Sequence, residues 1–181
     1  STATLTVSVT SQNDAPVAVN DELTVLEDAL LTSIDVVVND TDIDGDGLVI
    51  SNLSSDKNGT ITINPDNISI DYIPEADFNG TEVITYTLSD GELTSTATLT
   101  VSVTSQNDAP VAEDGTITLQ QGNSEVVTLI ASDIDNDELS FSIQDQPANG
   151  NVTINGNQAT FTANDTFTGS DTFTFSANDG S

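Results

Sequence analysis

The sequence predicts an all-β protein built from tandem antiparallel seven-stranded β-sandwiches, arranged as a rod-like array. Three observations carry that expectation. Apolar residues alternate with Thr and Ser at period two along most of the chain, and no helical period competes with them. Turn-forming pairs punctuate the alternating runs, among them Asn58-Gly59, Asn79-Gly80, Asp90-Gly91 and Asn149-Gly150. The phrase STATLTVSVTSQNDAPVA fills Ser1–Ala18 and returns unchanged at Ser95–Ala112, a period of 94 residues with room for one modest core per repeat.

Taken in order, Ala3, Leu5, Val7 and Val9 give the opening phrase one apolar face. The same rhythm follows in Ile61/Ile63, Ile68/Ile70/Tyr72 and Ile84/Tyr86/Leu88. In the second repeat it recurs in Leu139/Phe141/Ile143, Ala159/Phe161/Ala163 and Phe173/Phe175/Ala177. Thr on the outward positions suits a pleated, half-exposed surface. About seven short strands per period fit a sandwich, and the absence of Trp and Cys excludes the buried Trp and disulfide of antibody domains. Pro16 and Pro110 cannot donate to a sheet, so each linker phrase ends in a short, stiff joint.

Aligning Asp179-Gly180-Ser181 with Asp90-Gly91-Glu92 places Ser181 just before the closing strand of the repeat, which the opening phrase duplicates. The expected organisation is therefore a final strand of a preceding or neighbouring domain at 1–12, a first repeat at 13–106, and a second repeat lacking its last strand at 107–181.

Thirty acidic residues face a single basic one, Lys57, for a net charge of −29 with no His, Cys, Met or Trp. Such a balance disfavours nucleic acid and anionic membranes, both of which need a Lys/Arg footprint. No stretch approaches the ~20 apolar residues of a membrane helix. Catalysis is not expected, because the carboxylates cluster in loops without a paired nucleophile, His or aromatic platform. The seven Asn-x-Ser/Thr triplets are a by-product of Ser/Thr-rich strands, and Lys57 beside Asn58-Gly59 reads as a turn residue rather than a cross-linking one.

The acids are placed, not scattered. NDTDIDGDG sets Asp40, Asp42, Asp44 and Asp46 on alternate positions, and SDIDNDE keeps Asp133, Asp135 and Asp137. Carboxylates that close repel unless a cation sits among them, and an all-oxygen set suits a hard cation such as Ca2+. Alternatively they form turns, capping backbone amides. An EF-hand is excluded, because Leu53 stands where the bidentate Glu is needed and the flanks VVVND and LVISNL alternate as strands.

QNDAPVA, the Asp-x-Asp-x-Asp run, YIPEADFNGTEVITYTLSDGE and the closing TSTATLTVSVT appear in an order and spacing that resemble the tandem cadherin-like, bacterial immunoglobulin-like repeats of large calcium-dependent surface adhesins. The resemblance spans almost the whole of both repeats. It implies calcium at the joint between successive domains, stiffening the rod. Carried onto this chain, it assigns one site to Glu27 and Asp77 from the first repeat with Asn107, Asp108, Asp133, Asp135 and Asp179 from the second. It assigns half of an equivalent site to Asn13, Asp14, Asp42, Asp44 and Asp90. Gln121 and Thr166 stand where the first repeat has Glu27 and Asp77, which implies an acid-poor site below the second repeat.

The expected function is a calcium-stabilised spacer of an extracellular adhesin or surface fibre, supporting adhesion or biofilm. Its partners are adjacent repeats of the same protein, with neither nucleic acid nor membrane insertion. Two alternatives remain open from the sequence. One is a filament subunit joined head-to-tail by donation of residues 1–10 to repeat 2 of a neighbour; the other is a glycan- or protein-binding β-sandwich module.

Overall fold

Strands follow the period-two pattern throughout the computed structural model, which describes residues 1–181 and has no helix long and apolar enough to cross a membrane. The chain divides into two units, Ser1–Gln106 and Asn107–Ser181.

Unit 1 contains β1 (Asp21–Leu26), β2 (Thr32–Asp35), β3 (Val49–Ser55), β4 (Thr60–Ile63), β5 (Ser69–Ile73), β6 (Gly80–Ser89) and β7 (Thr94–Thr104). One sheet has the order β1-β7-β6-β3 and the other β2-β5-β4. Every pairing in these two sheets is antiparallel except β1 with β7, which run parallel from Asp21↔Leu99 to Leu26↔Thr104. Ile84 and Tyr86 on β6, Ala97, Leu99, Val101 and Val103 on β7, and Ile70 and Tyr72 on β5 meet in one buried core. The intervening Thr and Ser of β6 and β7 point outward, as strand alternation requires.

Two tyrosines anchor polar groups within that core. Glu82 is completely buried, and it accepts hydrogen bonds from the Tyr72 hydroxyl at 2.7 Å and from Ser55 Oγ. The Tyr86 hydroxyl lies 2.9 Å from the Val19 carbonyl, 3.0 Å from Asp21 Oδ2 and 3.2 Å from the Val36 carbonyl. Burial, reinforced by Glu82 at Tyr72 and by Asp21 at Tyr86, raises both phenol pKa values above the ordinary 10.0. A raised folded-state pKa contributes stability that is complete below the unfolded value and is lost as pH climbs through the folded one. Tyr72 and Tyr86 are the chain's two tyrosines. Tyrosinate absorbance is therefore expected to stay low at pH 10 and to rise only as the β-sheet circular dichroism of unit 1 collapses. Half-titration at pH 10 with intact dichroism would refute the enclosed hydroxyls.

Unit 2 contains β8 (Val111–Ala112), β9 (Ser124–Thr128), β10 (Ala131–Ser132), β11 (Ser140–Asp145), β12 (Gly150–Asn155), β13 (Gln158–Ala163) and β14 (Thr174–Asn178). Its sheets are β12-β13-β9, β11-β14 and the short β10-β8 pair. Leu129, Val152, Ala159, Phe161 and Ala163 form a smaller buried core, with Phe141, Ile143, Phe173 and Phe175 half-buried against it. The Phe141 and Phe175 rings sit 6.3 Å apart, tilted by 37°.

Residues 1–12 differ from a simple reading of their alternation, for they join no ladder. Leu5, Val7 and Val9 are 87%, 73% and 89% exposed. Alternation gives a segment an apolar face; it does not supply a sheet edge to pair with.

Candidate metal centre

The Asp-x-Asp-x-Asp loop of unit 1 lies between β2 and β3. Asp42 Oδ1 accepts the backbone amides of Asp44 at 2.8 Å, Gly45 at 3.1 Å and Asp46 at 3.3 Å. Gly45 has φ of +82°, the left-handed conformation that lets the loop wrap around this oxygen. Asp44 Oδ2 reaches back to accept the amide of Asp14 at 2.8 Å. Asn13 Nδ2 donates to Asp90 Oδ2 at 3.0 Å, which ties the linker phrase to the turn after β6.

Unit 2 repeats this construction, except that the amide of Asn136, at the position of Gly45, donates to the Asp133 carbonyl at 3.4 Å. Asp133 Oδ1 accepts the amides of Asp135 at 2.9 Å and Asp137 at 3.3 Å. Asp135 Oδ2 accepts the amide of Asp108 at 2.8 Å, and Asn107 Nδ2 donates to Asp179 Oδ2 at 2.7 Å. Thus Asn13, Asp14, Asp42, Asp44 and Asp90 gather in unit 1, and Asn107, Asp108, Asp133, Asp135 and Asp179 gather in unit 2.

The two acids of the turns after the sixth-strand positions are held ionised. Backbone amides do most of this, those of Leu93 and Glu92 at Asp90 and that of Ser181 at Asp179, followed by the Asn13 and Asn107 side chains. Both carboxyls lie below the usual carboxylate range as a result.

Turn capping, the alternative role for these aspartates, accounts for one oxygen of the leading residue in each loop. It leaves the other unexplained. Asp42 Oδ2 and Asp133 Oδ2 are both shielded from solvent without a hydrogen-bond partner. In each loop the three aspartates bring carboxylate oxygens within 4.8 Å of one another, as Asp42/Asp44/Asp46 and as Asp133/Asp135/Asp137. A buried, unpartnered carboxylate oxygen facing like charges is costly unless a cation supplies the missing partner. The donor set is entirely oxygen, which fits Ca2+ or Mg2+ and not the softer metals. Asp46 and Asp137 belong to these clusters beside the residues expected from the resemblance.

Elsewhere in unit 1, Glu27 and Asp77 play unequal parts. Glu27 is 3% exposed, with its amide donating to the Thr104 carbonyl, Oε1 accepting the Gln106 amide and Oε2 accepting Asn79 Nδ2 at 3.5 Å. Asp77 is exposed, and its amide donates to Asp28 Oδ1 at 3.1 Å. Asp28 and Asp77 each have φ of 57°, and their carboxylate oxygens lie within 4.8 Å of each other. Two non-glycine residues held in the left-handed region, both acidic and side by side, mark this as a built feature.

Asp28 is the residue that the sequence pattern did not single out. It follows Glu27 directly, so the doubled acid Glu27-Asp28 was the available signal. In unit 2 the matching residues are Gln121, Gly122 and Thr166, and Gln121 Nε2 donates to the Asp165 carbonyl at 2.8 Å. Gly122 keeps the left-handed conformation, with φ of +73°, and drops the carboxylate.

A bacterial Ig domain model matches residues 13–102 and again 107–181, one match in each unit. The chain belongs to the bacterial Ig domain family. Among solved structures, two crystal forms of the human protocadherin-24 EC1-2 fragment resemble these bacterial Ig domains. The first is 17% identical with a TM-score of 0.61, covering 92% of this chain and 88% of that one. The second is 16% identical with a TM-score of 0.55, covering 92% and 94%. An endo-fucoidan hydrolase of glycoside hydrolase family 107 is 21% identical over 92% of this chain, with a TM-score of 0.44. This chain spans only 27% of that enzyme's length. No curated protein matches the sequence. The family match and the protocadherin likeness establish a shared β-sandwich fold, all-β and cadherin-like, in tandem bacterial Ig domains.

Proposed function

We propose that this chain is a calcium-stabilised structural spacer of an extracellular adhesin or surface fibre. One observation carries the reading. The same constellation of Asn and Asp is built twice, each time with one buried carboxylate oxygen that no protein group satisfies. Units that differ in their aromatic cores share this detail, which a merely solvating acidic surface does not require.

The covalent junction between the units is flanked by acids on both sides. Glu27 holds the amide of Gln106, the last residue of unit 1, with Asp28 and Asp77 grouped in the same unit. Asn107 and Asp108 open unit 2, bonded to Asp179 and Asp135. Within each unit, bound Ca2+ would supply charge neutralisation among that unit's own carboxylate oxygens. Asp42 and Asp133 would hold it through their inner oxygens, with Asp44, Asp46, Asp135 and Asp137 beside them. Adjacent repeats of the same protein are the partners of a spacer, and its work is mechanical rather than catalytic.

The test is the melting temperature of metal-free protein as Ca2+ rises from micromolar to ~10 mM, with Mg2+ as control. Extracellular sites bind near 10⁻⁴–10⁻³ M. Occupancy then stabilises the fold by about 1.4–2.7 kcal/mol per site at ~10 mM. A calcium-specific rise is expected, reduced in Asp42→Asn and Asp133→Asn. A flat curve would show that the acids only solvate the surface, and an equal response to Mg2+ would refute a calcium-specific site.

A further inference from the structure

Four asparagines of this chain precede a glycine, at Asn58-Gly59, Asn79-Gly80, Asn149-Gly150 and Asn155-Gly156. Such a pair carries its own electrophile and nucleophile: the glycine nitrogen can attack the asparagine side-chain carbonyl, and no Cβ on glycine obstructs the approach. The attack needs a carboxamide free to rotate and a main chain free to turn the next amide toward it.

The fold withholds that freedom from three pairs. Asn58 Nδ2 donates to Glu75 Oε1 at 3.3 Å and Oε2 at 3.1 Å, and Gly59 is wedged against Tyr72 and Glu82. Asn79 Nδ2 donates to the buried Glu27 carboxylate at 3.5 Å, and Gly80 already stands in β6 opposite Val103. Asn149 is fixed by its main chain, the amide donating to Asp171 Oδ2 and the carbonyl accepting the Asn164 amide at 3.0 Å. Gly150 stands in β12 opposite Ala163, beside the Phe161 ring.

Asn155 differs on each count. It closes the β12–β13 ladder opposite Gln158, is exposed, and makes no side-chain hydrogen bond. Gly156 follows at the exposed hairpin tip, with φ of +61° and nothing within 4 Å of the place a Cβ would take. Unit 1 has the same hairpin with different chemistry. Its matching Asn64 is held by both oxygens of Asp71, at 3.1 and 3.2 Å, and the next residue is Pro65, whose nitrogen has no hydrogen to give up.

We propose that Asn155 is a self-modification site of unit 2. The Gly156 nitrogen bonds to Asn155 Cγ, the Cγ–Nδ2 bond breaks, and ammonia leaves with the proton lost by the Gly156 amide. Water then opens the five-membered imide. Opening at the side-chain carbonyl gives Asp; opening at the main-chain carbonyl gives isoaspartate. Neither step changes an oxidation state. Either product puts a new negative charge on the hairpin tip, and isoaspartate also lengthens the main chain beside the last ladder pair, Asn155↔Gln158. The tip thereby marks the age of the chain. No residue of the carboxylate loops takes part.

The experiment incubates the full 181-residue chain in mildly alkaline heavy-oxygen water, folded and in denaturant. Digestion and tandem mass spectrometry then locate the label that ring opening introduces. One tether's worth of barrier corresponds to about tenfold in rate, so residue 155 of the folded chain is expected to label about tenfold or more ahead of 58, 79 and 149. The denatured chain, free of tethers, is expected to label all four at comparable rates. Asn155→Gln would need a six-membered ring and is expected to lose the label at 155. Equal labelling of the four positions in the folded chain, or label first at 58, 79 or 149, overturns the proposal. So does a residue 155 that stays an amide in the folded chain while the denatured chain reacts, or label that persists there in Asn155→Gln.

Discussion

Leu99→Ala is expected to destabilise unit 1 by about 2–5 kcal/mol, and Leu5→Ala to leave it unchanged. The two leucines sit in identical sequence, ATLTV, so local propensity cannot distinguish them. Their surroundings can. Leu99 is 0% exposed in the middle of β7, with Ile84 opposite it on β6 and Asp21 opposite it on β1. Truncation there removes buried methyl groups and leaves a cavity between two sheets that cannot both collapse onto it. Leu5 is 87% exposed and forfeits nothing in a dilute monomer. The intrinsic fluorescence of Tyr72 and Tyr86 reports unit 1 selectively, because the chain has no Trp and both tyrosines lie there. For a domain of this size about 4–8 °C of melting temperature corresponds to each kcal/mol, so Leu99→Ala should lose roughly 8 °C or more. Equal effects at the two positions would mean that the opening phrase and Ser95–Val103 compete for a single strand position.

Gly59→Ala is the second substitution with a large expected cost. A Cβ at Gly59 would lie 2.5 Å from Glu82 Oε2 and 2.6 Å from Tyr72 Cε2. Neither neighbour is free to retreat, since Glu82 is enclosed and bonded to Tyr72 and Ser55. Overpacking of a fixed core costs typically about 1–3 kcal/mol. Displacing the carboxylate from its two donors adds a buried polar group without partners, another ~1–3 kcal/mol. Gly47→Ala is the control, as nothing lies within 4 Å of its added carbon and its φ is not left-handed. Denaturant midpoints that agree for the two variants would contradict the enclosed Tyr72–Glu82–Ser55 cluster.

The legible part of this chain was the part governed by local pattern. Ile84, Tyr86 and Leu88 announce a buried face at period two, and β6 buries all three. Asn58-Gly59 and Asn149-Gly150 mark the entries to β4 and β12. The Asp-x-Asp-x-Asp runs are visible as charge, and their loops do collect carboxylates within each unit. Three features were less legible. The completeness of a core depends on a neighbouring strand, so Phe173 and Phe175 read like Ile84 and Tyr86 but end half-buried. Asp28 comes to Asp77 through paired left-handed backbones distant in sequence, which no periodicity encodes. Which oxygen of Asp42 caps a turn and which lies enclosed is decided by the fold of the loop around it.

The parallel pairing of β1 with β7 has a consequence for how unit 1 carries load. β1 lies near the start of the unit and β7 at its end, and the two run in the same direction side by side. Tension applied through the polypeptide draws β1 backward from its leading end and β7 forward from its trailing end. The six paired positions between them are then stressed together, in sliding, rather than opened one after another like a zip. Rupture in that geometry requires many hydrogen bonds to fail at once. Unit 1 is thus a clasp that resists stretching along the chain.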